Sequence, residues 1–361
     1  MVFYIRFLKT PRLQRQKTGS ISASALICIT TDLGDAFLAQ DVDLLVSIHP
    51  AHDEKKILCQ ERLQWYGSKR ELPISLGSLP ASISQQCMIM EVTASNPARA
   101  GGSAFPDSLL DQHNIPLVIS CWSAVFGGPQ SLVADQLVER RFQLNQSVKL
   151  SIWEETGNSI ARHIWDAAIA SVMYLRQMIA RDQGSSNQAL QNLLQSERSS
   201  PLHVIELGSG CGIVGIALAE LLAQCSVLLT DLPEVEEIIT KNITVAQPAH
   251  ESEIQYRPLE WEEELPNDLF DSPPIDLILV SDCTYNADSQ PALVSVLSRL
   301  VQLSPHALIL VALKRRHESE SVFFDLMQSA GLHDLHVHRM EVPSQHEQWD
   351  EIELHCYGRR A

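Results

Sequence analysis

The run Val204-Ile205-Glu206-Leu207-Gly208-Ser209-Gly210-Cys211-Gly212 constrains this chain more than any other stretch. A β-branched segment ends in an acidic residue, glycine then stands at every second position, and an apolar helix-forming segment, 213–222, follows. Glycine lets the backbone take φ > 0 and approach a ligand with no Cβ in the way. The helix start adds unpaired N–H groups and the positive end of a dipole. Such a turn binds a nucleotide-like ligand, and two kinds compete for it. Gly210-Cys211-Gly212-Ile213-Val214-Gly215 satisfies the dinucleotide pattern G-x-G-x-x-G. Glu206, two residues before Gly208, would face an incoming diphosphate unfavourably, whereas a carboxylate there suits a ligand carrying an ammonium and a sulfonium. Asp231 closes the next apolar run, 227–230, and is placed to accept hydrogen bonds from a ribose diol, which both ligand kinds carry.

Glu206-Leu207-Gly208-Ser209-Gly210-Cys211-Gly212 followed by Leu228-Leu229-Thr230-Asp231-Leu232-Pro233 resembles motif I and the next acidic position of the seven-stranded S-adenosylmethionine-dependent methyltransferases. Three further segments resemble the family-16 protein-lysine methyltransferases in particular. They are Ala161-Arg162-His163-Ile164-Trp165-Asp166-Ala167-Ala168, Leu259-Glu260-Trp261 and Asp282-Cys283-Thr284-Tyr285, the last matching a D-x-x-Y motif after the fourth strand. The resemblance covers about residues 140–361. It implies S-adenosylmethionine as cofactor, with Glu206, Gly208, Gly210 and Gly212 around its methionine portion and Asp231 on the ribose. Trp261 would lie beside adenine, Trp165 with Asp166 would close the pocket from the leading helix, and Leu232 and Ser281 complete the cofactor set. Asp282 and Tyr285 would orient the amine that receives the methyl group. No metal is implied. Arg162 and His163 receive no role, and Lys314-Arg315-Arg316-His317 reads as a solvated strand end.

A chain of 361 residues exceeds one typical core and is expected to divide. Its formal net charge of −17 argues against a nucleic-acid backbone as principal partner and suits a basic protein substrate. No apolar run reaches the length of about 18 residues that a membrane span needs. The eight cysteines show neither C-x-x-C pairing nor metal-ligand spacing, which predicts free thiols in a reducing compartment. The first 20 residues are basic like a transit peptide, but Val2-Phe3-Tyr4-Ile5-Arg6-Phe7-Leu8 has the aromatic and β-branched content of a strand. The expectation is therefore a monomer in the cytoplasm, with the nucleus as a second location, rather than a mitochondrial protein.

The first 135 residues read as β-rich, with runs at 2–8, 24–30, 42–48 and 115–121 and a small, polar loop over 93–106. They carry no motif that can be tied to chemistry, so they form an accessory or a substrate-recognition domain. A truncation starting near Leu137 is expected to keep cofactor binding. From 136 onward, residues 142–153 predict one or two strands, and apolar residues at i+4 from Ile160 predict a helix capped by Ser159. A polar connector is expected over 182–200. Strands near 203–207, 226–230, 253–257, 275–281, 306–313, 333–340 and 351–357 alternate with helices near 212–223, 233–246, 290–303 and 318–330. This is a doubly wound α/β pattern, a mostly parallel seven-stranded sheet, and the missing helix before the last strand predicts an antiparallel hairpin. The hairpin is what the methyltransferase resemblance implies; a nicotinamide-dependent oxidoreductase would usually continue with another β-α unit. A small-molecule N-methyltransferase and a non-catalytic protein retaining this fold remain the other readings.

Overall fold

The computed structural model describes residues 2–359 apart from 16–19, 80–82, 84, 95–106, 112–114, 130, 158, 181–186, 198, 270–272, 317–319 and 346–348. Two β-sheets enclose the N-terminal core. The smaller is built from β1 (Phe3–Arg15), β2 (Ile21–Thr30), β5 (Leu72–Leu79) and β8 (Val118–Ile119), in the order β5-β2-β1-β8. The larger runs β12-β11-β9-β6-β3-β4, from β3 (Val42–Pro50), β4 (Cys59–Trp65), β6 (Cys87–Ala94), β9 (Cys121–Ser123), β11 (Leu137–Gln143) and β12 (Lys149–Glu155). Short strands β7 (Asp107–Ser108) and β10 (Phe126–Gly127) pair with β11 and β6. Alternation along β1 decides which side each residue serves. Phe3, Ile5 and Phe7 fill the core between the two sheets, while Val2 and Tyr4 belong to the core of the C-terminal half. The hairpin β11–β12 carries the larger sheet past the boundary expected at 135/136, because Val138 and Glu139 pair with Ser123 and Trp122.

The C-terminal half is one seven-stranded sheet in the order β15-β14-β13-β16-β17-β19-β18. Its strands are β13 (Leu202–Leu207), β14 (Cys225–Asp231), β15 (Glu253–Pro258), β16 (Leu277–Ser281), β17 (Leu308–Leu313), β18 (His333–Pro343) and β19 (Trp349–Gly358). All neighbours from β15 to β17 are parallel, and β19 pairs antiparallel with both β17 and β18, forming the expected hairpin. Central strands covered on both faces read as continuous apolar runs. Thus Leu277 and Leu279 of β16 face α1 (Asp166–Ala180) and α3 (Ile213–Leu221), while Ile278 and Val280 face α5 (Gln290–Leu303) and α6 (Ser321–Ser329). Among the described residues no helix is long and apolar enough to cross a membrane.

Two local expectations are corrected. The leading helix begins at Asp166, not near Ile160, which is 56% exposed. Residues 159–165 instead run beside β12, where Glu155 N–H donates to the Arg162 carbonyl at 3.0 Å and Ile164 N–H to Glu154 Oε2 at 2.8 Å. Those bonds hold the segment in an irregular turn until the Trp165 carbonyl accepts the first helical N–H groups. The connector over 182–200 contains a helix, α2 (Gln188–Gln195), capped by Asn187, whose side chain accepts from Leu190 N–H. The loop expected over 93–106 falls largely outside the described residues, after β6 ends at Ala94.

Candidate functional site

A cavity of about 840 Å³ opens at the carboxyl ends of β13, β14 and β16, where ligands bind in open α/β sheets. It is lined by Trp165, Glu206, Gly208, Gly210, Asp231, Leu232, Trp261, Ser281, Asp282 and Tyr285. Every site residue expected from the sequence therefore meets there except Gly212 and Asp166. That glycine, at φ +79°, starts α3, and a Cβ on it would approach Leu229, Ile216 and Ile239 at 3.0–3.3 Å. Its freedom serves packing of the turn on the core, not contact with a ligand. Gly210, at φ +53°, is different: its Cβ position lies 2.8 Å from the Ala161 carbonyl oxygen, so the 159–165 segment closes directly over the glycine turn.

Glu206 is 1% exposed, and its Oε2 accepts the Gly215 N–H at 2.8 Å. A Cβ at residue 215 would stand 2.7 Å from that oxygen, so Gly215 is the seat that lets the carboxylate tuck under α3. Burial pushes Glu206 up to about 8, against the Gly215 hydrogen bond, and Asp231 adds to the rise. An adjacent cation would favour the ionised form and lower this value. At pH 7 the ligand-free group is mostly protonated, so binding a cationic cofactor should expel a proton. Affinity should then rise with pH up to about 8 and level off above it. The check is calorimetry of S-adenosylmethionine binding at pH 7 in two buffers of different ionisation enthalpy. More proton release is expected in the wild type than in Glu206→Gln; equal release would show that Glu206 does not face the cation.

Asp231 is held by two backbone donors, Gly210 N–H on Oδ2 and Leu232 N–H on Oδ1, both at 2.7 Å. Each oxygen keeps a lone pair for a diol. Leu232 is 43% exposed at the cavity wall, and its carbonyl accepts the Tyr256 hydroxyl at 3.0 Å. Trp261 lies across the turn, its ring 3.2 Å from the Cβ position of Gly208, and its carbonyl is fixed by Arg299. Ser281 faces Ser171 of α1 at 3.5 Å between oxygens. Among the described residues no group of three His, Cys, Asp or Glu could hold a metal ion.

Asp282 is the strained member of the site, at φ +56° and only 6% exposed. It does not stand alone. Arg316 Nη1 donates to its Oδ1 at 2.9 Å and Nη2 to its Oδ2 at 2.8 Å, a bidentate pair. Burial pushes Asp282 above the ordinary carboxylate range, with the Arg316 guanidinium opposing that rise. Tyr285 is 57% exposed on the cavity wall. Trp165 also lines the cavity, with the Arg316 guanidinium 5.5 Å from its ring centroid. Asp166 does not close the pocket. It is fully buried and turned toward the N-terminal half, bonded to the Tyr4 hydroxyl at 3.1 Å and to Lys314 Nζ at 3.2 Å.

The segment Lys314-Arg315-Arg316 is thus no solvated strand end. Lys314 is 6% exposed and bridges Asp166 and Asp350. Arg316 clamps Asp282 and reaches Asp32 of the N-terminal half at 2.8 Å. Asp32 and Arg316 are what sequence reasoning missed. The only signal was a run of three basic residues, Lys314-Arg315-Arg316, directly after the apolar run of β17, at the sheet edge where the site lies. His163, left without a role, lines the cavity and touches Arg6 of β1 at 3.0 Å. Arg162 is tied to Glu155 and to the Glu234 carbonyl.

Residues 144–330 match the profile of a family described as lysine methyltransferase. A protein of Schizosaccharomyces pombe, UPF0665 family protein C23C4.06c, is 28% identical over 329 residues, covering 89% of this chain and 91% of that protein. Protein N-lysine methyltransferase METTL21A of Danio rerio is 31% identical over 209 residues, 57% of this chain and 82% of that protein. EEF1A lysine methyltransferase 3 of Xenopus tropicalis is 29% identical over 199 residues, 54% of this chain and 76% of that protein. The first alignment is long enough to take in most of the N-terminal half as well.

Proposed function

This chain belongs to the lysine methyltransferase family, and on that premise we propose that it moves a methyl group from S-adenosylmethionine to a lysine Nζ of a protein substrate at the cavity beside Asp282. The observation that carries the assignment is the meeting of a buried carboxylate, a glycine turn, a doubly anchored Asp231 and a strained Asp282 around one cavity of about 840 Å³. The residues fit the cofactor: Glu206 would hold its ammonium end, Asp231 its ribose, and Trp261 would offer an apolar face to adenine. When bound there, the cofactor supplies an electrophilic methyl group on a sulfonium.

The chain's own residues then have two tasks. The lysine must lose its proton before its nitrogen can attack. With a pKa near 10.4, about four in ten thousand amines are neutral at pH 7, a penalty of roughly 4.6 kcal/mol. Apolar walls such as Tyr285, Ile160 and Trp165 lower that pKa by desolvation. An isolated carboxylate would undo this by stabilising the ammonium. Asp282 is already paired with Arg316, so it accepts a hydrogen bond from the amine without holding the proton strongly. Positioning nitrogen and methyl carbon in line supplies most of the acceleration.

The test is transfer of tritiated methyl from S-adenosylmethionine into a cell lysate, with mass spectrometry of the labelled band. One or few proteins labelled on lysine are expected. Label confined to the small-molecule fraction, or on another residue type, overturns the substrate class. The eight cysteines carry free thiols, which supports a reducing compartment such as the cytoplasm as the place of action.

A further inference from the structure

The N-terminal half reaches the clamp on Asp282 through Asp32. Asp32 lies just past the end of β2, and its side chain is wholly buried. Its Oδ1 accepts Leu33 N–H at 2.8 Å, and its Oδ2 accepts both Arg316 Nη2 at 2.8 Å and Asp166 N–H at 3.3 Å. Its carbonyl accepts Arg6 Nη2 at 3.1 Å, so backbone and side chain are both fixed. Arg316 is the more exposed partner, with a side chain 20% exposed, the ring face of Trp165 on one side and the carboxylates of Asp32 and Asp282 at its nitrogens. One nitrogen, Nη2, serves Asp32 and Asp282 at the same 2.8 Å distance.

We propose that Asp32 is a positioning residue for methyl transfer: it fixes the plane of the Arg316 guanidinium, which in turn aims the Asp282 carboxylate at the substrate nitrogen. The N-terminal half therefore completes the active site as well as flanking it. The geometry favours this over a purely structural bond in two respects. The guanidinium fork is planar and rigid, so anchoring Nη2 orients both donors that grip Asp282. Arg316 holds both carboxylate oxygens of Asp282, at 2.9 and 2.8 Å, so the direction of that side chain depends on the plane of the guanidinium.

This inference rests on the function proposed above. Its test uses the full chain, with tritiated S-adenosylmethionine and lysate protein as the methyl acceptor, the rate being followed against lysate concentration. Asp32→Asn is expected to lower the saturating rate about tenfold, while the half-saturating lysate concentration and the calorimetric cofactor affinity stay within about twofold. In an Asp282→Asn background the same change should cost less than about twofold more, because its effect runs through a carboxylate already gone. Arg316→Lys keeps the charge but loses the fork, and is expected to reproduce the fall; it serves too if Asp32→Asn does not fold. A wild-type enzyme that labels nothing sinks the underlying function. An active wild type with an equally active Asp32→Asn, or the same tenfold fall in both backgrounds, sinks this inference alone.

Discussion

Asp282→Asn is expected to lower methyl transfer about 100-fold, equivalent to about 2.7 kcal/mol at the transition state, while S-adenosylmethionine affinity stays within about tenfold. Asparagine is the informative replacement because it tolerates the left-handed backbone that Asp282 adopts at φ +56°. Alanine there would mix backbone strain with the loss of the carboxylate. Asn can still take the Lys314 N–H, now 3.4 Å from Oδ1, and Arg316 keeps Asp32, so no buried charge is left alone. The fold should survive, and the lost activity then reports on chemistry. Tyr285→Phe should be milder, because the ring still forms the exposed wall of the channel. A fully active Asp282→Asn would place the amine against another strand end. Loss of cofactor affinity equal to the loss of rate would make Asp282 a cofactor ligand instead.

What the sequence discloses about this site follows from how a parallel sheet works. Glu206, Asp231, Ser281 and Asp282 each end an apolar run, and every such run in a parallel sheet ends on the same edge. Convergence over about 80 residues could therefore be read without coordinates. Arg316 follows the same rule, three residues past the end of β17, but a basic residue after a strand has an ordinary solvated reading as well. Its partner Asp32 decides between them, and it lies 284 residues away, just past the end of a strand in a different sheet. No periodicity carries that distance. The start of α1 was hidden for a related reason: Ile160, Ile164 and Ala168 keep helical spacing, but hydrogen bonds from β12 hold residues 159–165 out of the helix. Gly212 shows the converse limit, since a glycine in a ligand-binding turn and a glycine against a packed core look alike in sequence.

Removing residues 1–136 is expected to abolish cooperative folding, not merely target choice. The expectation that a chain starting near Leu137 would keep its cofactor took the first 135 residues to be separable. The sheets run otherwise. The cut would strip β9 from β11 and leave Arg140, which is 0% exposed, without the Ser120 carbonyl at 2.8 Å. It would also remove Val2, Tyr4, Leu109, Ile115 and Ile119 from the core that they share with α1 and α3. Burying five such side chains contributes on the order of 10 kcal/mol, the size of the whole net stability of an ordinary domain. Asp166, fully buried at the first turn of α1, would lose the Tyr4 hydroxyl and keep Lys314 as its partner. Nor does α1 have a polar face to turn outward, since its residues from Asp166 to Leu175 are all buried. The truncated chain should therefore aggregate or show no sharp thermal transition, whereas supplying residues 1–136 as a separate chain in the same cells should restore soluble protein. A well-folded truncation that binds S-adenosylmethionine like the full chain would mean that the seam between the halves carries little of the stability. Asp32 could then be examined by adding the missing half back and measuring the rate of methyl transfer at constant cofactor affinity.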